Sequence, residues 1–329
     1  MNNKTILLTG GTGSFGYQFI KHIYSKYKPL KVIVYSRDEF KQYQMSKKFI
    51  KKKYKGLRFF IGDIRDRERL NSALKNVDYV VHAAALKHVP IAEYNPQECI
   101  KTNIMGAQNL IDCSIKNNVK KVIALSTDKA SNPGNLYGAT KLVSDKLFIS
   151  SNILSAHTDT IFSVVRYGNV LNSRGSVIPY FKSLLKQKKE LTVTDKSMTR
   201  FFISIEEAVK FCVDSFNTMK GGEIFIPKIP SMKIFDIAKV LSNSSKIKII
   251  GLRPGEKLHE SLCSSDDSYY TYEDKKSYVI IPSIHLPSRN VSEKKMKRYK
   301  KVKIGFEYNS DKNNDFLNEK KVRKLLNKI

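Results

Sequence analysis

Thr9 to Gly16 read TGGTGSFG, between a short apolar run, Lys4-Thr5-Ile6-Leu7-Leu8, and a helical pattern carrying Phe19, Ile20 and Ile23. A strand that passes through glycines directly into a helix opens a βαβ unit. Gly10, Gly13 and Gly16 allow the tight turn, let backbone amides approach a pyrophosphate and let the helix lie close to the strand. Thr12, Ser14 and Phe15 complete the loop. The spacing is G-x-x-G-x-x-G where G-x-G-x-x-G is commoner, so by itself the run is also compatible with a glycine turn that holds no ligand.

The pattern that follows supports a ligand. Strand-like segments at 57–61, 79–81, 122–125 and 161–165 alternate with helical ones at 39–53, 96–116 and 137–151. Such alternation predicts a parallel sheet with helices on both faces and ligands on the loops after the strands. Those loops are Gly10 to Gly16, Ser36-Arg37, Gly62-Asp63-Ile64, Ala83-Ala84-Ala85-Leu86-Lys87 and Ser126 to Lys129. The expected fold is α/β, a Rossmann-type doubly wound parallel sheet with a smaller C-terminal substrate-binding lobe. Residues 1–168 form the dinucleotide half, 169–285 mainly the second lobe with some segments returning to the first, and 286–329 a basic tail ending in a short helix from Glu319.

At the tip of the second strand stand Ser36, Arg37 and Asp38, roughly twenty residues past the glycines, where an acid would bind the ribose 2′-OH of NAD and an arginine suits a 2′-phosphate. Asp38 lies beyond the tip, so Arg37, with Lys41 near it, points to NADP. Further along, Tyr137 and Lys141 share a helix face at i,i+4 spacing. A cation there lowers the phenol pKa, so that Tyr137 can take a proton from an alcohol whose hydride passes to a nicotinamide. A lone Y-x-x-x-K is more often a solvated surface pair. This one follows Thr127-Asp128-Lys129 and the glycine turn.

Against 30 Asp and Glu stand 59 Lys and Arg, a net charge of +29, with basic clusters at 47–55 and 294–303. Neither cluster comes with a nucleic-acid-binding motif, so both read as solvated faces whose field speeds capture of anionic ligands. Cys99, Cys113, Cys212 and Cys263 show no metal-ligand or disulfide spacing, and no metal is expected. No signal peptide or spanning segment is evident, which predicts a soluble, cytoplasmic protein without membrane or nucleic-acid partners.

Ten motifs then occur in order: TGGTGSFG, YSRDE, GDIRD, HAAALKHVP, STDKASNP, YGATK, RYGNV, MTRFF, GGEIFIPKIPSMKI and RPGEKLHE. Together they resemble the extended short-chain dehydrogenase/reductases, and within them the soluble inverting UDP-N-acetylglucosamine 4,6-dehydratases that begin pseudaminic acid synthesis for flagellin glycosylation. Retaining relatives typically carry Thr-Asp-Glu where this chain has Thr127-Asp128-Lys129. Membrane-anchored relatives generally have Met in place of Tyr137.

The resemblance implies UDP-N-acetylglucosamine as substrate and NADP as a cofactor that stays bound. It implies that Tyr137, activated by Lys141, serves C4 oxidation. Lys129, with a pKa depressed by Lys141, Lys87 and the nicotinamide charge, would remove the C5 proton while Asp128 protonates the leaving 6-OH. Substrate contacts carry over to Lys87, Asn169, Arg200, Arg253 and Glu256, the two arginines suiting a diphosphate. Thr102 and Asn103 would line the cofactor. A homo-oligomer is implied, through the helices at 96–116 and 137–151 with Ile104, Leu110 and Phe148 as apolar anchors. A retaining dehydratase and a UDP-sugar 4-epimerase remain as alternatives, and more remotely a non-catalytic NADP-sensing or nucleic-acid-binding protein.

Overall fold

The computed structural model describes residues 1–50, 52–173, 175–242, 246–284 and 299–327. Its first half alternates strands and helices: β1 (Thr5–Thr9), α1 (Ser14–Lys26), β2 (Lys31–Ser36), α2 (Glu39–Lys48), β3 (Leu57–Ile61), α3 (Arg67–Ala73) and β4 (Tyr79–His82). Two short helices follow, α4 (Val89–Tyr94) and α5 (Pro96–Ile100), then a π-helical turn at Lys101–Met105 and α6 (Gly106–Lys116). β5 (Lys121–Thr127), a 3₁₀ turn at Asp128–Ala130, α7 (Leu136–Leu154) and β6 (Ile161–Tyr167) complete this half. All five residues of β1 are buried, as a parallel strand covered on both faces requires. α1 turns Gly16, Phe19, Ile20 and Ile23 inward at helical spacing.

The second half weaves between two bodies. β7 (Asn169–Val170), α8 (Val177–Lys186), β8 (Leu191–Val193) and β9 (Thr199–Ile203) enter a smaller lobe. α9 (Ile205–Thr218) and β10 (Ile224–Pro227) return to the main sheet. β11 (Ser231–Lys233), α10 (Ile234–Ser242) and β12 (Ile247–Ile249) go back to the lobe, and β13 (Ser261–Cys263) follows. Then β14 (Thr271–Glu273), β15 (Ser277–Ile280) and β16 (Lys300–Lys301) form the far edge of the main sheet. β17 (Tyr308–Asn309) pairs with β13, and α11 (Glu319–Leu326) packs on α10.

The main sheet runs β16-β14-β15-β10-β6-β5-β4-β1-β2-β3, parallel from β10 to β3. The order in which successive strands are added reverses between β1 and β4, the crevice where doubly wound sheets bind ligands. In register, Thr9 stands opposite both Tyr35 and His82, so the strand ends form one level rim. The second lobe has its own core, with Phe181, Leu191, Phe202, Met232, Ile237 and Val322 fully or almost fully buried.

Three expectations change on the fold. The helix expected at 39–53 stops at Lys48, because Phe49 turns inward between Tyr17 and Tyr54 (ring centroids 5.6 and 4.8 Å) and leaves the lysines that follow without an apolar face. The segment at 96–116 is two helices joined by the π turn, a wider coil that turns the adjacent Thr102 and Asn103 both inward. Leu110 and Phe148 are completely buried inside the main core, so neither can anchor an interface; Ile104 is only partly buried. The 137–151 helix extends to Leu136–Leu154. Half of the basic 294–303 cluster, residues 294–298, lies outside the described residues, as does the tail from 286 to 298.

Phe148 sits against His82 and Phe162. Phe148→Ala should therefore destabilise the chain by about 3–5 kcal/mol in urea unfolding, the usual loss for a core aromatic. A negligible loss would return Phe148 to the surface.

Candidate active site

The strand rim and the second lobe enclose one cleft of about 1690 Å³. That exceeds the roughly 300–1,000 Å³ of a drug-sized pocket and leaves room for two nucleotides. At one end lies the glycine turn. Gly10 holds φ +62°, and a Cβ there would meet the Ala84 backbone at 2.8 Å, so the first and fourth strand loops touch only because this residue has no side chain. A Cβ on Gly16 would strike the Gly11 carbonyl oxygen at 1.9 Å; Gly16 seats α1 and does not line the cleft. Gly13 caps α1 without any side-chain hydrogen bond, which leaves the helix N-terminus facing the cleft with Thr12, Ser14 and Phe15.

Beyond it stand Ser36, Arg37, Lys41 and Lys48. Asp38 lines the cleft with them and also caps α2, accepting from the Lys41 amide at 2.9 Å and pairing with the Lys41 ammonium. Asp63 faces the cleft with Ile64; its Oδ2 lies 3.6 Å from Arg37 and 2.7 Å from Arg65. Burial would raise the Asp63 pKa, but hydrogen bonds from Arg65 and the two guanidinium charges hold it below the usual carboxylate range.

Ala83, Ala84 and Ala85 form the floor after β4, where the Ala83 and Ala84 amides donate to Thr9 Oγ1, which also meets His82 Nδ1 at 2.8 Å. Thr102 lines the cleft, and its fully buried hydroxyl has no hydrogen-bond partner among the described residues. Asn103 does not line it. Its side chain grips the Leu86 amide at 2.8 Å and the Leu86 carbonyl at 2.9 Å, so it positions the alanine loop and Lys87.

Thr127, Lys129, Tyr137 and Lys141 converge in the middle of the cleft. Burial pushes the Tyr137 phenol up to about 12; the Lys129 charge and a hydrogen bond with Thr127 pull it down, while Asp128 and Asp145 add to the rise. The cation acting on the phenol is thus Lys129. Lys141, expected in that role, is itself desolvated, which lowers its pKa against the pull of its counter-ion Asp145. Asp145 is held in turn by Ser126 at 2.7 Å and the buried Arg166 at 3.3 Å.

Lys129 reverses a second expectation. Its Nζ lies 3.1 Å from Asp128 Oδ1 and 3.1 Å from Glu260 Oε1, both carboxylates nearly sealed from solvent. Burial lowers its pKa, but the two carboxylates outweigh burial and the nearby Arg200 charge, and the net shift is upward. Lys129 rests as an ammonium. Asp128 is completely buried and forms no part of the cleft wall, whereas Glu260 does. Glu260 falls within RPGEKLHE but was not singled out in the sequence, since nothing local distinguishes its carboxylate from that of Glu256.

Arg200 borders the cleft, yet its guanidinium donates to the carbonyls of Thr199 (2.7 Å), Leu258 (3.0 Å) and Lys257 (2.8 Å). It fastens a loop where a diphosphate contact was expected. Arg253 is half exposed at the rim and lies 3.8 Å from Glu256, which accepts from Thr194 at 3.1 Å. Asn169 lines the same end.

A glycine turn and a buried tyrosine–lysine pair on one strand rim, with a second lobe over them, define the extended short-chain dehydrogenase/reductases. Residues 6–282 match the family described as polysaccharide biosynthesis protein, and the chain belongs to it. A relative from Campylobacter jejuni, UDP-N-acetylglucosamine 4,6-dehydratase (inverting), is 56% identical over 99% of this chain and 98% of its own. A UDP-glucose 4-epimerase from Rickettsia canadensis is 42% identical over 98% and 95%. The X-ray structure of Pen from Bacillus thuringiensis superimposes with a TM-score of 0.90 at 37% identity, covering 100% of this chain and 99% of the other.

A raised folded pKa means that the stabilisation from Lys129 is fully present below its unfolded value and is lost only as pH climbs through the folded one. Lys129→Met should therefore cost about 3–5 kcal/mol, as removal of one partner from a buried ion pair does, with a deficit that stays flat from about pH 6 to 9, below the unfolded lysine value. Urea unfolding across that range measures it. A deficit that is small near pH 6 and grows as pH rises through that range would mean a depressed pKa and a neutral amine.

Proposed function

We propose that this chain is a hydro-lyase, an inverting UDP-N-acetylglucosamine 4,6-dehydratase. It converts UDP-N-acetylglucosamine to UDP-2-acetamido-2,6-dideoxy-β-L-arabino-hex-4-ulose, the first step of pseudaminic acid synthesis. The carrying observation is a lysine ammonium beside the Tyr137 phenol, where retaining dehydratases place an acid. The Campylobacter jejuni relative supports the same reading.

A nicotinamide dinucleotide fits the residues present. The turn at Gly10 tolerates no side chain, the α1 N-terminus is uncapped by one, and Thr102 offers a buried unpartnered hydroxyl. When bound, it accepts the hydride from C4 and returns it to C6. Tyr137 takes the 4-OH proton, and the resulting ketone acidifies C5–H. Lys129, within reach of the same sugar face, removes that proton after losing one of its own. Thr127 hydrogen-bonds the phenol, and Lys141 lines the cleft beside it. Return of a proton to C5 from the opposite face inverts the centre.

The Rickettsia relative favours a second reading, 4-epimerisation, which uses the same tyrosine. An epimerase has no need of Lys129 and releases no water.

NADP is preferred to NAD on this reading. Arg37, Lys41 and Lys48 line the far end of the cleft while Asp38 is committed to capping α2. A homo-oligomer in the cytoplasm completes the proposal, its interface drawn from exposed apolar side chains on the 96–116 and 137–151 segments, Ile100, Met105 and Val143, in place of Leu110 and Phe148. Among the described residues, no helix is long and apolar enough to cross a membrane.

Arg37→Ala should erase most of the NADP preference. One charge-assisted bond to the 2′-phosphate is worth about 1.5–3 kcal/mol, roughly 10- to 150-fold in affinity by calorimetric titration. Equal binding of the two cofactors by wild type would reject the assignment.

Tyr137→Phe should slow C4 oxidation by about 10²–10⁴, seen as failure to form reduced cofactor on mixing with substrate. In D₂O the wild-type product should carry one deuterium at C5 and the original C4 hydrogen in its C6 methyl group, by proton NMR. Unchanged C5 configuration at the earliest times would place the chain among retaining enzymes.

A further inference from the structure

We propose that the end of the main sheet opposite the cleft is a docking face for an anionic lipid bilayer, which holds the chain reversibly at a membrane surface with its cleft turned to solvent. The proposal stands whichever sugar reaction the cleft performs. It departs from the reading of residues 47–55 as a freely solvated face.

In a doubly wound sheet, the loops that follow strands and the loops that lead into them emerge at opposite ends. The cleft takes the first set. The second set comprises residues 27–30 before β2, 49–56 before β3, 74–78 before β4 and 117–120 before β5. β1 is five residues long, so the two ends lie about 17 Å apart. Lys28, Lys52, Lys53, Lys55, Lys75 and Lys120 are exposed on these loops, and none of the six lines the cleft. Among the described residues, none of them forms an ion pair. Asp78, an acid on the same edge, is already held by Lys4 at 3.3 Å and by the Thr5 amide at 2.9 Å. Residues 1–56 carry twelve lysines and one arginine against two acids, Asp38 and Glu39, and both acids sit at the start of α2, its cleft end.

The first two loops form one platform. Tyr54 packs edge-on against Phe49 and Tyr24, with ring centroids 4.8 and 5.2 Å apart, and the Tyr24 hydroxyl donates to the Lys55 carbonyl at 2.7 Å. The Val32 amide donates to the Gly56 carbonyl at 3.1 Å, and the Leu30 amide to the Lys4 carbonyl at 3.0 Å. Gly56 holds φ +79°, and a Cβ there would strike the Leu30 carbonyl, so the loops touch only because this residue has no side chain.

Leu30 and Ile50 project from the platform, 66% and 67% exposed. One exposed aliphatic side chain is ordinary. Two on adjoining loops, each flanked by lysines, match the composition of a headgroup boundary, where apolar tips enter and ammonium groups stay with the phosphates. The field of an anionic leaflet decays within about 8–10 Å, so it is felt by charges gathered on one face, as these are. Charge decides against the other occupants of such a face. A second copy of the chain, also at +29, brings the same sign. A nucleic-acid backbone would supply phosphates but leave Leu30 and Ile50 nothing to bury.

Sedimentation of the full chain with extruded vesicles tests the proposal. Vesicles of phosphatidylglycerol and phosphatidylethanolamine should carry the protein down, and vesicles of phosphatidylcholine alone should not; failure to bind the anionic vesicles would overturn it. Each lysine at such a surface is worth about fivefold in partitioning, so Lys28→Ala/Lys52→Ala/Lys53→Ala should weaken binding about 10²-fold. Lys182→Ala/Lys186→Ala/Lys189→Ala removes the same charge from the second lobe and should change binding less than about fivefold. Equal loss in the two triples would mean attraction by bulk charge and would overturn the docking face. Leu30→Ser/Ile50→Ser leaves the charge intact and should weaken binding at least about tenfold, through lost apolar insertion; wild-type binding by this variant would overturn the proposal. If a variant does not fold, salt makes the test on wild type: about 1 M, where the screening length is about 3 Å, should release the protein, and retention would count against it. Tighter binding to duplex DNA than to anionic vesicles, unaffected by the Leu30 and Ile50 substitutions, would assign the face to nucleic acid instead and overturn the membrane.

Discussion

Burial of a lysine ammonium between two carboxylates from different parts of the chain is the constraint on which the site depends. Asp128 comes from the end of β5 and Glu260 from the residue before β13. An unpaired charge at that depth would cost several kcal/mol, so neither carboxylate can move away from Lys129 cheaply. Neighbouring bonds repeat the constraint across the same seam. Lys257 holds the carbonyls of Ser131 and Asn132, and Asn135 both caps α7 through the Gly138 amide and donates to the Gly255 carbonyl at 2.8 Å. Arg200 ties β9 to the loop at 257–258. The loop that carries Arg253, Glu256 and Glu260 is therefore fastened to the loop that carries Lys129, and the cleft between them has a defined width.

The opposite wall owes its shape to absent side chains. Gly10 lets the first strand loop rest on Ala84, and Gly16 lets α1 press on Gly11, which brings the uncapped helix N-terminus to the rim. Thr9 joins the same level through its bonds to His82, Ala83 and Ala84. Burial and the charge of Lys141 push the His82 pKa down to about 3, so a neutral ring completes that contact. A rim built from backbone and one hydroxyl can hold a phosphate without introducing a charge that would compete with the Lys129 cluster.

What the sequence made legible was local. The glycine turn, the strand tip with Arg37 and the i,i+4 pair are each set within a few residues, and each lines the cleft. The Asn103 contact, the loop-fastening role of Arg200 and the whole of Glu260 were not legible, because each depends on a partner tens of residues away. The expected sign of the Lys129 shift failed because the sequence reading weighed the cations near it, whereas the upward pull comes first from the adjacent Asp128 and then from Glu260, 131 positions further along. Leu110 and Phe148 were misplaced because helices packed on a parallel sheet bury a full face, and an apolar residue on them reads alike whether it meets the sheet or a partner chain.

A scaffold that takes a proton from one hydroxyl and exchanges a hydride at the same carbon is sufficient for epimerisation, and Tyr137 at the middle of the cleft would supply it on the reading proposed above. Loss of water asks for two more proton movements, at C5 and at the 6-oxygen, on atoms two bonds apart. A single charge cannot serve both. A lysine ammonium held between two carboxylates keeps a proton and its acceptors at one place, which is what two such transfers would need. Asp128, completely buried, accepts from the lysine ammonium at 3.1 Å and fixes its position. Dehydration in place of epimerisation follows from what surrounds one nitrogen atom, on a fold that would otherwise support either.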